Sequence, residues 1–453
     1  MNRLFFFLLA LTAQLHLLFS QSAPLAKPSV QQLRWHEMEY YMFIHFGVNS
    51  FTNLEWGEGA ENPTVFNPKK LDCRQWASIA KKAGMKAIIL TVKHHDGFCL
   101  WPSAYTEHDV ANSSWRNGKG DLLKELSAAC KEYGLKLGFY ISPWDRNNPI
   151  YGKDDQAYNA YFNNQLKEIL TQYGPVFEVW FDGANGDREN PEKYQAYDWT
   201  GFKQTIRSLQ PDAVIFGAGY ADLRWVGNER GIASETNWCT FDSKQRNPSE
   251  DAPIPLLQAG IKDGDLWWPA ETDVSIRPGW FYHPEEDTRV KSTDQLEKIY
   301  FESVGRNTNL LLNIPIDRDG LVNPADSIAL MQLRARLDAT FSQNIALKSK
   351  KNWEKNILTL DLKEKSTFDV ISLKENISQG QMIDGWKVEA WVDQKWISLG
   401  EGTTVGYQRW LILPKTTSSK IRIHFMHPIP EDQVLRVDLF KRGMSNPLLD
   451  KEK

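Results

Sequence analysis

The sequence predicts an α/β chain: a (β/α)8-like barrel followed by a C-terminal antiparallel β-sandwich. Two observations predict it. From about residue 35 to about 342, short apolar runs alternate with amphipathic stretches of helical period. From about 346 to 443 the period changes to two and the helical stretches stop. The chain has 453 residues, long enough for two or three domains. We divide it into a signal segment (1–22), a barrel (23–345), a sandwich (346–443) and a tail (444–453).

Residues 1–22 read as a secretory signal. Arg3 precedes the apolar run Leu4 to Ala10, more apolar residues reach Phe19, and the small residues Ser20 and Ser22 follow. Gln14 and His16 interrupt a run already short for a membrane span. The expected location is periplasmic or secreted, with no membrane attachment after cleavage.

Near-continuous apolar strands are those buried on both faces of a parallel sheet. Such runs are 41–46, 87–92, 137–141, 177–181, 213–216 and 310–314. Helices are expected over 74–83, 121–133, 156–173, 194–209 and 293–304. The second of these carries the stripe Leu122, Leu123, Leu126, Ala129 and Cys130. Gly84, Gly134 and Gly174 stand where C-caps are expected. The loop-rich stretch 235–292 hides the fifth and sixth helices. No GxGxxG follows the first strand, which argues against a dinucleotide site. In the C-terminal part, the runs 357–362, 368–373, 386–392, 395–399 and 421–425 mostly alternate.

Composition narrows the function classes. Lys and Arg number 53 against 57 Asp and Glu, a net charge of −4. That balance excludes nucleic acid as the main partner. With 24% charged and 42% hydrophobic residues, the chain is neither disordered nor a polytopic membrane protein. The 18 Trp supply flat apolar faces of the kind that pack on sugars or fill a core. Cys73, Cys99, Cys130 and Cys239 have no zinc-type spacing and read as buried thiols.

Barrel chemistry gathers where strands run out into the following loops. Those ends carry His45, the row Lys93-His94-His95-Asp96, Ser142-Pro143-Trp144-Asp145-Arg146, Asp182, the stretch Trp225 to Glu229, Glu271 and Trp280. Carboxylates flanked by aromatic rings are what cleavage of a glycosidic bond requires: one to attack or stabilise the anomeric carbon, one to protonate the leaving oxygen. Asp182 is the candidate nucleophile, against the alternative of a helix cap. Glu229 is the candidate acid/base, against a surface carboxylate paired with Arg224 or Arg230; Glu235 and Glu271 compete for that role. His94 and His95 suggest a metal site, but neighbours on a strand point to opposite faces, so a shared ion is a poor fit and hydroxyl binding the better one. Trp56, Trp144 and Trp280 are candidates for stacking on a sugar or for packing the barrel mouth.

The motifs Phe43-Ile44-His45-Phe46-Gly47, Lys93 to Phe98, Val179-Trp180-Phe181-Asp182-Gly183 and Ser303 to Pro315, in this order and spacing, resemble the α-L-fucosidases of glycoside hydrolase family 29. The resemblance spans about 35–345 and extends to the sandwich. It implies a retaining exo-hydrolase of terminal α-L-fucose acting on fucosylated oligosaccharides or glycoconjugates. Asp182 matches the nucleophile, and His45, His94 and His95 the hydroxyl-binding histidines. Glu55-Trp56 matches a fucose-contacting pair, and Tyr140 and Trp280 the pocket wall. The segments 142–147 and 225–229 are similar to the subgroup acting on α-1,3/1,4 branches, in which Glu229 holds the acid/base position. No metal or organic cofactor is implied. Apolar neighbours such as Trp225 are expected to raise the Glu229 pKa. A fucose lectin without turnover and a metal-dependent barrel hydrolase are the competing classes. In the sandwich, Trp391, Trp396 and Trp410 either bind carbohydrate or brace the barrel, and bracing is the expectation. Asn112 and Asn376 sit in glycosylation sequons, which matter only in a eukaryotic secretory pathway.

Overall fold

The computed structural model describes residues 25–186, 194–247 and 252–443. The signal segment and the C-terminal tail expected at 1–22 and 444–453 lie outside the described residues. Eight parallel strands form the N-terminal sheet. They are β1 (Tyr40–Ile44), β2 (Ala87–Lys93), β3 (Lys136–Ile141), β4 (Val176–Trp180), β5 (Val214–Phe216) and β6 (Arg224–Trp225). A small antiparallel pair follows, β7 (Thr240–Phe241) with β8 (Leu266–Trp267), and then β9 (Ala270–Ser275) and β10 (Asn309–Asn313) complete the set. The order around the sheet is β5-β4-β3-β2-β1-β10-β9-β6. An isolated parallel bridge from Phe216 to Leu223 brings the two edges together, so the sheet is a nearly closed barrel.

Burial on both faces explains the apolar runs. Every residue of β1 and β2 is buried. Outward residues such as Ile88, Leu90, Phe139 and Val179 pack under the helices, while Tyr41, Phe43, Ile89, Tyr140, Trp180, Phe216 and Leu311 fill the lumen. The predicted helices lie at Cys73–Lys82, Leu122–Tyr133, Asp155–Gln172, Trp199–Leu209 and Thr293–Ser303. Helix Leu122–Tyr133 starts on the side chain of Asp121, which accepts from Lys124 N–H. It ends on Gly134 at φ 64°, a left-handed cap that needs glycine, and its predicted stripe is buried.

The chain departs from the eightfold pattern where the expected helices were hidden. Residues 217–223 turn from β5 to β6 with no helix, and the described residues of the link from β6 to β9 carry the β7–β8 pair, a 3-10 turn at Ser243–Gln245 and the short helix Ile254–Ala259. Helices Val30–His36 and Pro324–Phe341 were not expected; the latter buries Leu330, Leu333 and Leu337.

The C-terminal sheet is antiparallel: β11 (Lys350–Glu354), β12 (Ile357–Glu375), β13 (Trp386–Val392), β14 (Lys395–Gly402), β15 (Arg409–Phe425) and β16 (Val434–Phe440). Its order is β11-β12-β15-β13-β14, with β16 also against β12. The two runs expected at 357–362 and 368–373 are one strand. Its register shifts between Asp361 and Ser366, so its first half pairs with the end of β15 and its second half with the start of β15 and with β16. These long strands surround a core of Leu360, Phe368, Ile371, Trp386, Val388 and Ile423. Trp410 joins sandwich to barrel. It is 7% exposed, and its ring centroid lies 4.7 Å from Phe341 and 5.3 Å from both Tyr300 and Phe301.

Candidate active site

Strands β1 to β4, β6 and β9 all deliver side chains to the same end of the barrel. A pocket of about 110 Å³ opens there, lined by Phe43, His45, Glu55, Trp56, His94, His95, Tyr140, Trp180, Asp182, Ala184, Glu229, Asp273 and Trp280. It contains nine of the ten sequence-predicted site residues. The tenth, Trp144, lies in an adjoining cleft of about 800 Å³, which shares Trp56 and Ala184 with the pocket.

Asp182 stands two residues past β4. Tyr140 donates its phenol O–H to Oδ2 at 2.9 Å, and the backbone N–H of Ala184 donates to Oδ1 at 2.8 Å. His95 Nε2 is 3.8 Å from Oδ2. Asp182 does not cap the next helix, which Asp198 caps instead. Tyr140 is itself pinned between rings, with Trp180 stacked at 5.2 Å and His94 at 5.6 Å.

Burial disfavours the charged form of all three histidines. Burial lowers the His45 pKa to about 3, against a 2.8 Å hydrogen bond to Asn313. Burial likewise holds His94 well below the usual range. It also lowers His95, although the nearby Asp182 carboxylate favours the charged ring. His94 and His95 both line the pocket with their rings 4.1 Å apart. The expectation that they face opposite ways fails because β2 ends at Lys93, so strand alternation no longer governs them. The His94 Nδ1 atom is buried without a hydrogen-bond partner among the described residues. Among the described residues, no group of three or more His, Cys, Asp or Glu side chains is arranged to hold a metal ion.

Glu229 follows β6 on the facing wall. Trp280 donates its indole N–H to Glu229 Oε2 at 3.3 Å. Burial raises the Glu229 pKa against the lowering effect of the Trp280 hydrogen bond, and the carboxylates of Asp182 and Glu55 add to the rise. Trp225, expected to be the apolar neighbour responsible, gives its indole N–H to Asp273. Arg224 is buried and donates to the carbonyls of Leu257 and Trp238, away from Glu229. Neither competing carboxylate lines the pocket. Glu235 is 74% exposed in its side chain and 3.6 Å from Arg306. Glu271 lies fully buried in the lumen, where it accepts from Trp180 Nε1 at 2.9 Å, from Trp35 Nε1 at 3.3 Å and from the Tyr41 hydroxyl.

Glu55 both lines the pocket and braces it. Its carboxylate accepts the backbone N–H groups of Trp280 and Phe281, and His283 Nε2 lies 2.6 Å away. Trp56 is 57% exposed at the rim, edge-on to His95 and Trp144. Sequence reasoning missed Phe43, Trp180, Ala184 and Asp273. Phe43 and Trp180 lay inside quoted motifs, whereas Asp273 belongs to a strand whose polar composition hid it.

A model of the α-L-fucosidase family matches residues 31–339. The chain is 42% identical over 417 residues to α-L-fucosidase 1 of Arabidopsis thaliana, covering 85% of this chain and 81% of that one. Among solved structures, it is similar to a glycoside hydrolase 29 family member from an unknown rumen bacterium. That match has a TM-score of 0.87 and 41% identity, over 93% of this chain and 78% of that one. It is also similar to a Ruminococcus gnavus family 29 fucosidase in complex with fucose, with a TM-score of 0.82 and 30% identity, over 93% and 96% of the two chains. The chain therefore belongs to the α-L-fucosidases of glycoside hydrolase family 29.

Proposed function

We propose that this α-L-fucosidase is a retaining exo-enzyme that removes terminal fucose from α-1,3/1,4 branches, with Asp182 as nucleophile and Glu229 as acid/base. The observation that carries the reading is the contrast between the two carboxyl groups. Asp182 is held by two hydrogen-bond donors, while burial and the Asp182 charge favour the protonated form of Glu229. In the first step an Asp182 oxygen bonds to the anomeric carbon and the bond to the leaving oxygen breaks. That oxygen takes the Glu229 proton. In the second step a water gives its proton to Glu229, its oxygen bonds to the anomeric carbon, and the bond to Asp182 breaks. The neutral imidazoles of His45, His94 and His95 bind sugar hydroxyls without adding charge. The cleft beside the pocket, lined by Trp56, Trp144, Asp145 and Arg146, supports the branched preference, because a second branch needs room next to the fucose.

Asp182→Ala and Glu229→Ala test the assignment on an activated aryl fucoside with azide. Rescue of Glu229→Ala as a retained fucosyl azide supports it, and an inverted azide from that variant marks Glu229 as nucleophile instead. Release of fucose from branched and linear α-1,2-linked oligosaccharides, compared side by side, tests the linkage. We also propose export through residues 1–22; an intact Met1 on protein recovered from the native host overturns that.

A further inference from the structure

Asp273 sits mid-way along β9, opposite Leu311 of β10, a lumen residue. Glu271 and Ser275, two residues to either side, share its face. It is 4% exposed and lines the pocket together with Asp182 and Glu229. Its two oxygens differ. Trp225 donates its indole N–H to Oδ1 at 2.9 Å. Oδ2 is bonded to no other described residue, and the side chain borders the pocket.

Among the described residues, no lysine or arginine lines the pocket. Glu229 after β6 and Glu271 on β9 act on Asp273, and Asp182, Glu55 and His45 line the same pocket. A nearly buried carboxylate without a cation is costly, and the low-cost state is the neutral acid. Burial first, then the Glu229 charge, raise its pKa well above the ordinary range. A neutral carboxylic acid is a donor as well as an acceptor.

The geometry points to Asp273 as a substrate-binding residue: a protonated carboxyl whose Oδ2–H donates to an oxygen of the bound fucose, while Oδ1 stays locked to Trp225. This rests on the pocket being the fucose site. Trp225 is four positions before Glu229, so the same carboxyl ties the loop of the acid/base to β9 and sets its distance from the sugar. A neutral donor also keeps a further negative charge away from the carbon where positive charge develops, leaving that role to Asp182.

Fucose affinity, measured by calorimetry on the full chain, separates the outcomes. Asp273→Ala removes donor and tether and is expected to bind fucose about tenfold or more weakly. Asp273→Asn keeps an oxygen for Trp225 and presents an N–H₂ donor to the sugar, so it is expected to recover most of that loss. A merely structural role predicts no such rescue of affinity between variants of equal Tm. Wild-type affinity in Asp273→Ala, or Asp273→Asn as weak as Asp273→Ala, overturns the assignment. Asp182→Asn is the companion measurement. If it loses turnover while Asp273→Ala binds normally, the Asp273 assignment falls and the pocket reading stands. If Asp182→Asn turns over normally, the pocket reading falls, and the assignment with it.

Discussion

Glu55 and Trp280 meet across the barrel mouth: Glu55 Oε2 accepts the backbone N–H of Trp280 at 2.8 Å, and the Trp280 indole in turn donates to Glu229 at 3.3 Å. One carboxylate thus sets the position of the ring that holds another. Glu55→Ala releases both the Trp280 and Phe281 N–H groups. A displacement of about 1 Å at a reacting group lowers turnover by about 100-fold, so a fall of that order in kcat/KM is expected with an aryl fucoside. Unchanged kcat/KM in Glu55→Ala contradicts the bracing role.

The buried pair Glu178 and Glu271 makes stability depend on pH. The Tyr41 hydroxyl touches both carboxyls. Burial, then the Glu271 charge, hold Glu178 well above the ordinary value of 4.5. The folded chain therefore keeps a proton that the unfolded chain releases as pH rises past that value. Protons bound in the folded state exceed those in the unfolded state, so this group's contribution to stability falls with rising pH. Glu178→Gln removes the ionisable group. Its urea midpoint is expected to decline less than that of the wild type between pH 5 and 8. Parallel declines contradict the pairing.

Sequence and structure agree where a strand is apolar on both faces and part where the lumen is polar. The runs in β1 to β5 and in β10 were legible because lumen residues such as Phe43, Ile89 and Trp180 are as apolar as the outer ones. In β9 the inward positions are Glu271, Asp273 and Ser275, so the apolar pattern vanished and Glu271 looked like a loop acid. Strand β6 spans only Arg224–Trp225, too short for any period. Pocket membership of the histidines and of Asp182 was legible because they end apolar strands. The hold of Glu55 on Trp280, 225 positions away, has no local signature.

Lys93 is a fully buried cation at the end of β2, 3.1 Å from Asp145 and 2.9 Å from Gln165. Asp145 accepts from the backbone N–H groups of Asn147 and Asn148, shaping the loop behind Trp144. Lys93→Met leaves the Asp145 charge buried and unpaired. Removing one partner of such a pair costs about 3–5 kcal/mol, to be read from urea unfolding. Lys93→Met paired with Asp145→Asn is expected to restore much of the loss.

Trp410 fills the junction between helix Pro324–Phe341 and the sandwich, and its backbone N–H donates to Gly305 O at 2.8 Å. Replacement by Ala in a packed core costs about 3–5 kcal/mol. Because the lost contacts join two cores, the unfolding transition of Trp410→Ala is expected to broaden or divide in calorimetry. A sharp transition at the wild-type Tm contradicts the joining role.

The four cysteines are free and buried, and burial pushes their thiols up, Cys130 and Cys239 to about 12. Thiols so poorly ionised and so enclosed react only when the surrounding structure opens. They are placed as natural clocks: Cys73 and Cys130 on two helices of the barrel wall, Cys99 beyond β2, and Cys239 against Ile377 at the sandwich. The order in which a maleimide labels them reports which part of the molecule breathes first, with no engineered probe.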